Sequence, residues 1–531
     1  MLAVAAFKAA LTQDRTPVSL RRRPRLATQR GEAVNSAVRC VSALCAIAAS
    51  LSCGSGSNSF LPSNNGSGSG SNFPPATTPL VKLSTDTFTN ATSQHATEVE
   101  PGSFSFGSTI ITSFQVARIS GGGGADIGYT ISTDAGLTWS SGVLSGITTF
   151  QGGGTNSAVS DTNVAYDAKH GVWMISSLPI SSSNIQVAVS RSTDGGLTWG
   201  NPVVFANGPN LDKDWLACDS TPTSPFYGNC YMEWDDNGAA NQVYMSTSSD
   251  GGLTWSAKIA VSNALGLGGE PLVQPSGNVI VPFLTNSSTI SSYSSSDGGA
   301  SWNAPAQIAT VTDHAVAGGL RSDALPTAQI DATGNVYVIW QDCRFRTGCS
   351  SNDLVMSTTA DGTTWTPPAR IPIDAITSTV DHFIPGLGID PNTSGASAHL
   401  AVTYYYYPVA NCTATTCALY AGFISSLDGG QTWSNPTPLA GPMSLSWLPS
   451  TFSGQMVADY IGTSFVNGKA YGFFAVAKAK SGTAFDQAIY TTQAGMDLLA
   501  AQGRNSSAGE KPIFSGANSR IRTAVPSRTS R

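Results

Sequence analysis

Short apolar runs of four to six residues, separated by glycine, proline, asparagine and serine, follow one another through most of this 531-residue chain. Runs this short, bounded by turn-forming residues, read as strands rather than helices. Seven of them are small, apolar and often end in an acid: Thr97–Glu100, Asn163–Asp167, Trp215–Asp219, Pro271–Gln274, Pro326–Asp331, Pro385–Asp390 and Val457–Gly462. Each reads as the innermost strand of a repeated sheet. A second apolar run follows, such as Val172–Ser177, Val279–Phe283, Val336–Trp340 and Tyr471–Val476, and a third leads into a recurring octapeptide.

That octapeptide is the dominant repeat: Ser132–Trp139, Ser192–Trp199, Ser248–Trp255, Ser295–Trp302 and Ser426–Trp433, with a copy one residue short at Thr359–Trp365. Its aspartate accepts hydrogen bonds from the turn beyond it, its glycine supplies positive φ, and its tryptophan is an apolar plug. The pattern S-x-D-x-G-x-x-W resembles the Asp box of the sialidase (BNR-repeat) superfamily. The resemblance implies an all-β β-propeller of four-stranded antiparallel blades, with each box between the third and fourth strands and away from the active site. Counting inner strands gives seven blades, where the sialidase pattern would give six. No fourth strand follows Tyr490, and Pro79–Ser84 resembles the outer strands, so an N-terminal strand is expected to complete the last blade and close the ring.

Composition and charge refine this picture. Glycine is abundant, at 55 residues, and only 11% of residues are charged. The net charge of −6 is uneven: residues 1–53 carry eight Lys/Arg against two acids, and residues 500–531 carry six against one. The acidic body between argues against nucleic acid or an anionic membrane as its partner. Residues 1–53 read as an export leader: an arginine-rich stretch to Arg39, then an apolar run from Cys40 to Ser52, too short to span a bilayer, closed by Cys53 in a lipoprotein-like context. Residues 54–78 read as a Gly/Ser/Asn-rich linker, 79–495 as the propeller, and 496–531 as a disordered basic tail. The expected location is outside the cytoplasm, as a surface lipoprotein or a secreted or periplasmic protein, with membrane contact only through lipid on Cys53. Cys218/Cys230, Cys343/Cys349 and Cys412/Cys417 form three local pairs, read as disulfides of an oxidising compartment.

Two sets of loops are expected to share one face around the channel: those entering the inner strands and those between second and third strands. The entering set carries Asp161, Asp212, Lys213, Asp214, Glu270, Arg321, Asp323 and Asp381, and the other carries Arg118, Asp342, Arg344 and Arg346; Asp459 and Tyr460 lie in the last inner strand. The family resemblance implies three arginines clamping a substrate carboxylate, a tyrosine nucleophile activated by a glutamate, and an aspartate acid/base. Residue by residue, Arg118, Arg321 and Arg344 are candidates for the clamp. Tyr460 with Glu270 is the candidate nucleophile pair, and Asp161, Asp323 or Asp381 the acid/base. The expected partner is a carbohydrate. Two other readings stand beside an exo-sialidase-like hydrolase: a glycosidase of another specificity using paired carboxylates, and a non-catalytic propeller that binds glycan or protein. No cofactor is called for, although converging aspartates could take calcium.

Overall fold

The computed structural model describes residues 75–499, so the leader and most of both the linker and the basic tail lie outside the described residues; at the start of that tail, Met496–Asp497 is not disordered but pairs as a strand with Lys469–Ala470. Everything regular in this span is strand, apart from five single-turn 3₁₀ segments. No helix among the described residues is long and apolar enough to cross a membrane.

The strands pair antiparallel in successive runs. The first run is Glu98–Phe106, Thr109–Arg118, Gly124–Ser132 and Ser140–Val143. The second is Val164–Asp167, Val172–Ile180, Ile185–Ser192 and Val203–Gly208. The third is Leu211–Cys218, Cys230–Asp236, Gln242–Ser248 and Ile259–Leu267. The fourth is Leu272–Val273, Val279–Thr285, Thr289–Ser295 and Ala306–Thr310. The fifth is Thr327–Ile330, Val336–Asp342, Asp353–Thr359 and Ala369–Arg370. The sixth is Asp381–Ile389, Leu400–Tyr407, Ala418–Ser426 and Thr437–Ser444. The last run has Gly462–Val466, Lys469–Ala477 and Gln487–Thr492, and Leu80–Lys82 pairs beside its third strand with Leu80 opposite Thr492. A hairpin absent from the sequence reading, Ser450–Thr451 with Gly454–Gln455, stands between the sixth and last runs.

The octapeptides form the turns between third and fourth strands. In Ser426–Trp433, the Ser426 hydroxyl donates to Asp428 Oδ1 at 2.8 Å and accepts from the Gly430 N–H at 2.9 Å. Asp428 then accepts from the Thr432 N–H at 2.8 Å and hydroxyl at 2.5 Å. The shortened copy keeps this logic, with Asp361 accepting from the Thr363 and Thr364 N–H groups at 2.8 and 2.7 Å. Each tryptophan packs on the run before its own. Trp255 stacks on Phe205 at 4.5 Å between ring centroids, and Trp199 meets Tyr129 at 5.6 Å. The first run's Trp139 lies against Tyr471 and Phe473 of the last run, at 6.2 and 5.9 Å. Inner strands approach closely where a side chain would not fit: a Cβ on Gly102 would stand 2.8 Å from the Thr162 carbonyl oxygen. Asp428→Ala removes bonds that hold a turn and touches no residue of the site below. It is expected to cost about 2 kcal/mol of stability and to leave ligand binding unchanged, which urea unfolding and titration would check.

All three cysteine pairs are disulfides. Cys343–Cys349 and Cys412–Cys417 staple loops between second and third strands, and Cys218–Cys230 joins the first two strands of the third run.

Candidate functional site

The first strand of several runs is broken near its start by a bulge. Register slips between Val99 and Gly102, between Asp212 and Trp215, and between Phe383 and Gly386. Glu100, Lys213 and Ile384 occupy these bulges with φ of 56°, 42° and 49°, and Asp161, just before Val164–Asp167, has φ of 42°. Left-handed backbone is unfavourable for such residues, and bulges of this kind re-aim side chains. Three of the four strained residues are titratable, and they converge.

Lys213 is the hub. Its Nζ donates to Asp459 Oδ2 at 2.8 Å and lies 3.4 Å from Asp161 Oδ1 and 3.5 Å from Glu100 Oε1. Arg321 adds a two-pronged pair to Asp459, with Nε to Oδ1 at 2.7 Å and Nη2 on Oδ2. Burial opposes ionisation of Asp459, but Arg321 and Lys213 outweigh it and hold the carboxyl well below its ordinary value. Burial would likewise lower Lys213 and Arg321; Asp161, Asp459 and Glu100 outweigh it at the lysine, and Asp459 followed by Glu100 at the arginine, so both stay charged. Glu100 goes the other way. Burial pushes it up to about 8, only partly offset by Lys213 and reinforced by Asp459 and Asp161. It holds its proton at neutral pH. Asp161 is also raised, by burial first.

Arg118 completes the group from the end of the first run's second strand. It is 3% exposed, and no carboxylate pairs with it among the described residues. Its guanidinium donates to the Ile119 carbonyl at 3.0 Å, to the Gly123 carbonyl, and to Met456 Sδ at 3.1 Å. Glu100, Arg118, Asp161, Asp212, Lys213 and Arg321 line one pocket of about 590 Å³, with the exposed Phe452 among its lining residues. Phe452 belongs to the unforeseen hairpin, whose Gln455 carbonyl accepts the Arg321 N–H at 2.8 Å.

Of the predicted site residues, the structure therefore brings together Arg118, Arg321 and Asp161. Tyr460 and Glu270 line an adjoining cavity of about 320 Å³ that shares Lys213 with the first. The Tyr460 hydroxyl is engaged by the Thr162 backbone, accepting from its N–H at 2.9 Å and donating to its carbonyl at 3.2 Å. Glu270, raised to about 8 by burial, accepts from the Ala328 N–H at 2.7 Å. Arg344 is not in the pocket. Its guanidinium is taken by Asp342, two residues back, and by the Thr310 carbonyl, and it lies over Trp340. Asp381 is also elsewhere, 3.3 Å from His314 Nδ1 and accepting from the Asn352 N–H at 2.6 Å. Asp323 is more exposed, yet its carboxyl is raised by burial and feels Asp459, Arg321 and Lys213 of the cluster. The residues given no role from the sequence are Glu100, Lys213 and Asp459. Asp353, Asp374 and His382 have metal-like spacing, but Arg346 and Arg370 already hold both carboxylates.

Sheets of antiparallel strands joined through Asp-box turns define a β-propeller. Residues 181–385 match the family described as BNR repeat-like domain. With its six boxes in place, the chain resembles the sialidase (BNR-repeat) superfamily over that matched segment. Solved structures that it resembles include a Hadza microbial sialidase, at 17% identity and TM-score 0.39, covering 75% of this chain and 66% of that one. A polysaccharide lyase described as an ulvan lyase aligns at 9% identity and TM-score 0.46, over 80% and 97%. A leech intramolecular trans-sialidase aligns at 12% identity and TM-score 0.39, over 78% and 69%. A search of curated proteins finds no match.

Proposed function

We propose that this protein is an extracytoplasmic, carbohydrate-active propeller that hydrolyses an anionic glycan in the Arg118 pocket, with a sialoside-like acid sugar as the first substrate class. On this reading the seven runs are seven blades, the last completed by Leu80–Lys82, and the disulfides fit an oxidising compartment. The observation that carries the reading is a buried guanidinium without a carboxylate partner, lining a pocket beside three carboxyls. A buried unpaired cation is costly, and a substrate carboxylate or sulfate would satisfy it in the geometry that arginine favours. Arg118 and Lys213 would hold that acid group, and Arg321, oriented by Asp459, would face it.

The chemistry would fall to Glu100 and Asp161. Both lie within 3.5 Å of the same ammonium, so these oxygens are no more than about 7 Å apart, an upper bound that admits the roughly 5–5.5 Å of a retaining pair. Glu100 would give its proton to the glycosidic oxygen as that bond breaks. Asp161 would stabilise or trap the anomeric carbon, or deprotonate the attacking water.

The test is release of fluorophore from a panel of fluorogenic sialosides and uronides. Glu100→Gln is expected to lower kcat by about 10²–10⁴-fold while substrate Kd stays within a few-fold, and Arg118→Ala to weaken binding. No release from any anionic glycoside would sink hydrolysis. A second reading, a non-catalytic glycan-binding propeller, is favoured by the Tyr460 hydroxyl being engaged by Thr162 and by Arg321 being occupied by Asp459. Binding of anionic glycans without turnover would select it.

A further inference from the structure

The inner strands bound a second and larger space at their opposite ends. A cavity of about 1890 Å³, open to solvent, is lined by residues from the first strand of every run or immediately beside it, among them Phe106, Asn163, Trp215, Gln329, Asn392 and Asn467. Its chemistry is unlike that of the Arg118 pocket. The lining holds no lysine, arginine or histidine. Its two acids are already engaged: Asp331 accepts from the Thr333, Asn335 and Gly395 N–H groups at 2.9, 3.0 and 2.8 Å, and Asp390 from the Asn392 N–H at 3.0 Å. What remains are amides, hydroxyls and aromatic rings.

Asn163, 4% exposed, is among the polar residues at its wall. An ion would find no free counter-charge here. An apolar segment would leave the amides unpaired. A sugar ring presents apolar C–H faces to Phe106 and Trp215 and hydroxyls to Asn163, Gln329 and Asn467, and the space is large enough for a small ligand.

We propose that this neutral mouth is a second binding site, for an uncharged oligosaccharide. The channel then has two chemically distinct ends, one for charge and one for neutral sugar. The proposal does not depend on turnover at the Arg118 pocket.

The experiment is calorimetric titration of the full chain with cellohexaose, maltohexaose, xylohexaose and mannohexaose. At least one is expected to bind with Kd below about 1 mM. Phe106→Ala and Gln329→Ala should each weaken it at least tenfold, the isosteric Gln329→Glu should weaken it with unchanged circular dichroism and Tm, and Arg118→Ala should leave it unaltered. Binding by none of the four, binding indifferent to the channel variants, or binding lost with Arg118→Ala would overturn the proposal. Loss of anionic-glycan turnover alone would not.

Discussion

Lys213→Met is expected to be the most damaging single substitution in the site, costing about 3–5 kcal/mol of stability at neutral pH. The ammonium is 8% exposed and stands among three carboxyls that are exposed by 5% or less. Methionine fills much of the space but supplies no charge. Asp459 would keep Arg321, whereas Asp161 and Glu100 would lose their nearest cation. Both are already raised by burial, so removing Lys213 raises them further and the variant takes up protons on folding. The loss should therefore shrink in acid, because protonated carboxyls need no counter-charge. Urea midpoints for wild type and variant should differ much less near pH 5 than near pH 8. Equal losses at both pH values would mean that Lys213 contributes packing rather than charge.

The fold was more legible than the site, for a physical reason. The Asp boxes are local: serine, aspartate, glycine and tryptophan within eight residues make their own turn, so the motif implies its structure wherever it occurs. The cysteine pairs are local in the same way. Leu80–Lys82 pairs beside Gln487–Thr492, where the last run lacks a fourth strand of its own. The site depends on bulges, and period-two alternation cannot show them. One extra residue at Glu100 or Lys213 turns the side chain to another face, so Glu100 read as the end of an apolar run and Lys213 as one charge among several in a loop. Arg344 failed as a clamp residue because Asp342, two positions away, satisfies it locally. Arg118 has no such neighbour and remains available.

Stability should fall as pH rises from about 5 to about 8, the reverse of a protein held mainly by exposed salt bridges. Burial raises Glu98, Glu100 and Glu270 to about 8 from an ordinary 4.5, and Asp126 to about 7 from 3.8. Asp214, Glu233 and Asp235 are pushed well up by the same cause. For each group the folded state keeps a proton that the unfolded chain releases above about pH 4–5. The contribution is fully present below the unfolded value and is lost as pH climbs through the folded one. A shift from 4.5 to about 8 corresponds to an effect on the order of 4 kcal/mol per group if fully realised. Two sets of groups work in the opposite direction. Asp459 and the box residues Asp134 and Asp194, held low, lose their contribution only below about pH 4. His382, lowered by burial, favours the folded state as pH rises through about 6.5, its ordinary range, and then adds nothing further. Tm is therefore expected to be highest near pH 5 and several degrees lower at pH 8. Glu98→Gln and Asp126→Asn, both outside the pocket lining, should each flatten the decline without affecting glycan binding. A Tm that rises from pH 5 to pH 8 would show that the buried carboxyls ionise in place, with the lysine and arginines setting the balance instead.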